Sequence, residues 1–342
     1  MNNSTLPSTS PSADYRVYFY IQLATGICLA IQSPITIISN VLLLFTIFKD
    51  PLKCFRVPPT YFIVGLALVD LAMGLFMKPF FVMYRVARYI KWSRFPGEPY
   101  YSLNQIGSSI SYVGLNASFL LVLGLILSQF IAITYPHHYR SLVTTRRVLA
   151  CVGFSLVYFT GFILLQFAVP TATLFQVDVH LHSTLITILL MVGSAMLLKS
   201  FRQFAKASRR LGGGRSFANG HASKPRANRI SERQFTIVTL ILSGILIVCS
   251  LPHIITLHIK FYTKRDTLQE KLDLSAAITI ADQMMFLKVA LDAFIYAWRL
   301  TKYRRSLKIV LTCHENQVTS EATEMRTINN NFTFQQQDPE TS

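Results

Sequence analysis

Charge is what this sequence has least of. Of its 342 residues only 14% are Asp, Glu, Lys or Arg, 51% are hydrophobic, and the mean hydropathy is +0.40. Soluble domains carry about 25% charged residues, so a water-exposed globule is excluded. Acidic residues are the scarcest, 16 against 33 basic ones, which leaves a net charge of +17. No metal-ligand set, nucleophile elbow or phosphate loop is present, so neither an enzyme nor a cofactor is expected. No internal repeat is found, which argues against a transporter. There is no cleavable signal peptide either: a polar N-terminus runs straight into an apolar segment too long for an h-region.

What the sequence does have is long apolar runs. Crossing a bilayer takes about 20 apolar residues. Seven such segments are read at Val17–Phe48, Tyr61–Val86, Leu103–Tyr135, Val148–Val169, Leu181–Leu198, Phe235–Phe261 and Leu274–Leu300. Their length and lack of alternation predict helices rather than barrel strands. The first and third exceed one span, as tilted helices do. Basic residues crowd the first, third and fifth loops and the segment after the last span. All of these fall on one side, which the positive-inside rule makes cytoplasmic. The excess positive charge therefore belongs to a membrane topology and not to nucleic-acid binding. The N-terminus is placed outside, in the plasma membrane of a multi-pass protein. The outer loops also carry Arg85, Arg88, Lys91 and Arg94.

The chain divides into an extracellular tail over residues 1–16, a membrane domain over 17–313 and a disordered cytoplasmic tail over 314–342. Asn2 and Asn3 each open an Asn-x-Ser/Thr sequon on the outer side and are candidate glycosylation sites. Between Thr301 and Thr312 basic and apolar residues separate at helical spacing, which predicts a short amphipathic helix on the anionic bilayer surface. Cys313 follows it, as a palmitoylation site or a free thiol.

Several motifs stand in order along the spans. They are Ser39-Asn40-Val41 in the first, Leu66-Ala67-Leu68-Val69-Asp70 in the second, and Ser128-Gln129-Phe130 at the inner end of the third. After the apolar run Ile131-Ala132-Ile133 comes Thr134-Tyr135-Pro136, with Tyr139 and the Thr144-Thr145-Arg146-Arg147 run beyond it. The sixth span has Cys249-Ser250-Leu251-Pro252 and the seventh has Asp292-Ala293-Phe294-Ile295-Tyr296. Together these resemble the rhodopsin-like (class A) G-protein-coupled receptors from about Val17 to Cys313. The resemblance implies an all-α integral membrane fold, a seven-transmembrane helix bundle with a short eighth helix. It also implies an extracellular ligand, a heterotrimeric G protein, and arrestin recruited to a phosphorylated tail. A seven-helix scaffold or decoy that has lost coupling is the alternative. The departures motivate it: Gln129 for the arginine of Asp-Arg-Tyr, Ser250 for the tryptophan of Cys-Trp-x-Pro, and Ala293 for the proline of Asp-Pro-x-x-Tyr. None of the five cysteines lies in an outer loop, and Asn104 takes the usual cysteine position atop the third helix. The family disulfide is therefore excluded. With a short second outer loop, read at Pro170 to His180, this resembles the melanocortin-like branch.

The resemblance also assigns sites. Asp70, with Ser118, occupies the family's sodium-binding position, and Asp292 and Lys288 are expected to converge on it in the core of the bundle. Lys288 lies one helical turn before Asp292, so both share a face. Its ammonium is expected to replace the sodium ion, leaving a net charge of −1 and a held proton; the alternative is that it snorkels elsewhere. An opsin reading is disfavoured: the retinal lysine position is Phe286, and Lys288 points about 200° away. Glu232 would pair with an arginine at position 129 and faces a neutral amide instead; it also reads simply as a helix N-terminal residue favoured by the dipole. Pro252 is expected to kink the sixth helix, and Tyr296 to swing inward. Helical offsets put Lys78, Ser111, Tyr112, Leu115, His253, Leu257, Asp282 and Phe286 around a ligand pocket. Ser111 stands where monoamine receptors have aspartate, so an amine held in that mode is not expected.

Overall fold

In a computed structural model the described residues are 13–52, 55–212 and 223–312, with side chains described over 15–52, 55–170, 172–207, 233–296 and 299–312. Seven helices are long and apolar enough to cross a membrane. We number them α1 (Ala13–Lys49), α2 (Pro58–Ile90), α3 (Tyr100–Thr134), α4 (Thr145–Leu164), α5 (Thr171–Val177, Asp178–Leu185 and Ile186–Gly212 in continuous succession), α6 (Ser223–Tyr262) and α7 (Leu268–Arg299). An eighth, α8 (Thr301–Thr312), follows at an extended Leu300, and a short helix, Pro136–Leu142, fills the loop between α3 and α4. Strands are absent among the described residues.

The ends are set by local chemistry. Pro58 and Pro59 open α2, where a missing N–H costs nothing. Thr144 and Thr267 cap α4 and α7 by accepting from the backbone N–H groups of Arg147 and Glu270. The basic residues at the outer end of α2 and in the loop after it are largely used up within the fold. Arg88 donates to the Arg94 carbonyl, Lys91 to that of Pro96, and Arg85 to Gln283 Oε1 on α7.

Burial orders the helices. Through their apolar centres α2 and α3 are 61% and 50% buried, against 22% for α4, so α2 and α3 form the axis and α4 faces lipid. Small residues let the axis close. A Cβ on Gly114 would stand 2.6 Å from Met73 Sδ, and one on Gly124 2.7 Å from Phe62 Cε1. That is the close backbone approach by which membrane helices pack.

Two π-helical stretches interrupt the α-helical register, Met73–Met77 in α2 and Asp178–Leu185 in α5. The second alters an expectation. The segment 170–180, read as an outer loop, is helical from Thr171 onward, so α5 begins about ten residues earlier than its apolar run suggests. The polar residues Asp178, His180 and His182 hid it: they weaken hydropathy, yet each finds a hydrogen-bond partner inside the protein. In α8, Tyr303 and Ser306 are buried, and Tyr303 packs edge-on against Phe55 with ring centroids 6.4 Å apart. Asn2, Asn3, Cys313 and the tails lie outside the described residues, as does the side chain of Glu232.

Candidate functional site

Three polar constellations lie at three depths of the bundle. The middle one is the most buried. Lys288 Nζ is 2.6 Å from Asp292 Oδ2, and neither side chain is more than 2% exposed. Asp70, fully buried on α2, is in electrostatic contact with Asp292, Lys288 and Lys78. Ser118 Oγ, Asn40 Oδ1 and Tyr296 OH are also buried, and none of the three has a hydrogen-bond partner among the described residues.

Lys78 departs from its expected place. It is absent from the outer cavity wall; its ammonium is fully buried, donates to Thr36 Oγ1 on α1 at 2.6 Å, and acts on both Asp70 and Asp292. The π stretch explains this. The Lys78 N–H bonds Met73 O, five residues back, which absorbs one extra residue. At about 100° per residue, a regular helix would turn Lys78 some 80° away from Asp70; with one residue absorbed it returns to within about 20°. Two carboxylates therefore face two ammoniums, and the charge of −1 expected from Lys288 alone becomes zero. Taking Lys288 from its direct pair with Asp292 costs about 3–5 kcal/mol, because the other charge is left behind.

The inner constellation joins α3 to α6. Gln129, 5% exposed, accepts a hydrogen bond at Oε1 from Thr236 Oγ1 at 3.3 Å. Thr236 lies one helical turn after Glu232, so a neutral bond ties the two helices near the position of the family's ion pair. Ser250 is fully buried, and its hydroxyl returns to the Ile247 carbonyl of its own helix at 3.0 Å. Pro252 lies within α6, and Tyr296 is 1% exposed on α7.

The outer constellation surrounds a cavity of about 200 Å3. Ser111, Tyr112, Leu115, His253, Leu257, Asp282 and Phe286 line it. His253 Nδ1 lies 2.8 Å from Asp282 Oδ1, joining α6 to α7, with both side chains reached by water. The sequence reading missed the α5 side. Asp178 lines the cavity, and its Oδ1 accepts from Asn116 Nδ2 at 2.7 Å and from His182 Nδ1 at 2.9 Å. His182 Nε2 is in turn 3.0 Å from Tyr158 OH on α4. The Asp178–His182 spacing of one helical turn was a legible signal, concealed by assigning Asp178 to a loop. Lys260 stands at the rim, its ammonium 5.0 Å from the centroid of the Phe175 ring. A second cavity of about 570 Å3 opens outward from the first and shares Tyr112, Phe175, Asp178 and Lys260 with it.

No cluster of three or more His, Cys, Asp or Glu side chains that could hold a metal occurs among the described residues. Against known families, residues 39–296 match the model of the 7 transmembrane receptor (rhodopsin family). No curated protein matches the chain.

Proposed function

The chain belongs to the rhodopsin family of seven-transmembrane receptors, and we propose that it carries an extracellular ligand signal to a heterotrimeric G protein. It is a multi-pass membrane protein of a receptor family rather than an enzyme family. In this reading the N-terminus is extracellular, the membrane is the plasma membrane, and the ligand enters the outer cavity. The observation that carries it is the cavity's position against α6. His253 and Leu257 of α6 line the cavity, while the inner half of the same helix meets Gln129 through a neutral hydrogen bond of 3.3 Å. Pro252 lies between them and supplies the kink about which the inner half swings. Such a bond is roughly half as strong as a charge-assisted one, so the closed state is weakly held and ligand binding shifts the population toward the open one.

The same reading gives the core a different task from the family's cation site. The ammoniums of Lys288 and Lys78 stand in for sodium, so the resting state does not depend on that ion.

The loss of arginine, tryptophan and proline at positions 129, 250 and 293 favours a second reading, a non-signalling scaffold or decoy. G-protein activation in cells, without added ligand and with surface expression verified, separates the two. Wild type should exceed an empty control, and Gln129→Arg should change the level further. If neither form departs from the control, the scaffold reading replaces the receptor reading.

A further inference from the structure

The outer cavity contains two carboxylates, and they are not equivalent. Asp282 is answered three times. His253 Nδ1 is 2.8 Å away, and the charges of Arg85 and Lys260 both act on it. Among the described residues Asp178 is bonded by Asn116 and His182 and by no lysine or arginine. Asn116 offers an amide N–H. His182, 2% exposed and flanked edge-on by Phe159 and Phe162, bridges Asp178 Oδ1 at Nδ1 and Tyr158 OH at Nε2. Both bonds end on Oδ1, and Oδ2 of this 5% exposed residue is left to the cavity it lines. A carboxylate at this depth calls for a cation, and no lysine or arginine of the cavity wall supplies one.

We propose that the outer cavity binds a small arylalkylamine in its protonated form, with the ammonium on Asp178 Oδ2. Rings of Phe81, Tyr112, Phe119, Phe175 and Phe286 line the same space and give the aryl group its surface. At about 200 Å3 the cavity accepts one ring and a short chain, and the adjoining cavity of about 570 Å3 shares Asp178 with it. The carboxylate comes from the π-helical stretch of α5 and not from α3, where Ser111 offers only a hydroxyl. Bound there, the amine is held next to Asn116 and so couples α5 to α3.

This inference rests on the reading of the chain as a ligand receptor, but a binding measurement needs no G protein, so failure of coupling and failure of amine binding are read separately. The test is a thermal melt of the purified full-length protein in detergent with three probes of one shape: 2-phenylethylamine, 2-phenylethanol and 3-phenylpropanoate. Only the amine should raise the melting temperature saturably. In Asp178→Asn its apparent affinity should fall roughly 10- to 100-fold, as expected for losing a charge-assisted bond. Should that variant not fold, Leu115→Trp, which fills the cavity and leaves the carboxylate in place, should abolish the amine's effect. The proposal is overturned if the alcohol or the acid stabilises as well as the amine does. It is overturned equally if no amine effect appears at millimolar concentration, or if the effect survives either substitution.

Discussion

The mid-membrane cluster and the outer cavity both bury aspartates beside nitrogen bases, yet they are organised in opposite ways. In the core, Asp70 and Asp292 meet Lys288 and Lys78, all at most 1% exposed, and the four formal charges sum to zero. In the cavity His182 and His253 stand beside Asp178 and Asp282, the His253–Asp282 pair is open to water with Arg85 and Lys260 also acting on it, and Asp178 lines the cavity with both of its hydrogen bonds on Oδ1. A closed, self-neutralised set stabilises one arrangement of helices. An open set with an unanswered charge is available to a ligand. The family's motifs are retained in outline around both, and in the function proposed above it is the core whose external cation is replaced by the chain's own ammoniums.

The sharpest way to break this contrast is to reopen the core. Lys288→Ala leaves Asp292 buried without its partner and should lower stability by about 3–5 kcal/mol, read as a large fall in melting temperature in detergent. Sodium should restore part of that fall in the variant while leaving wild type unmoved. A melt indifferent to sodium in both would mean that Lys288 does not occupy an ion's place. Lys78→Met comes next, at about 1–3 kcal/mol, the range for leaving a buried polar group unsatisfied; a change near zero would remove Lys78 from the neutral set. The smallest effect belongs to the cavity. Asp282→Asn should cost at most about 1 kcal/mol, as for pairs within reach of water. A loss matching that of Lys288→Ala would show the outer pair to be as closed as the core, and the contrast would fail.

Much of this was legible in the residues. The seven spans follow from apolar length, and their ends differ from the observed helices by a few residues except at α5 and at the start of α6, which begins at Ser223. Seven of the eight positions offset from the motifs line a single cavity, because α3, α6 and α7 keep regular helical phase between motif and cavity. The eighth, Lys78, lies beyond the π stretch of α2, where the phase slips. Asp178 was lost for a related reason: polar side chains and a π-helical start lower the apolar signal of a helix whose polar groups are satisfied by α3 and α4 rather than by water.

The sequence by itself determined how many times this chain crosses the bilayer and the family to which it belongs. The hydrocarbon core enforces apolar length, and the motifs sit at fixed depths within the spans. Only the tertiary structure decided which charges meet. One residue absorbed in a π turn rotates everything after it by about 100°. In α2 that rotation carries Lys78 from the ligand cavity into the core, where a second ammonium makes the difference between a charged cluster and a neutral one.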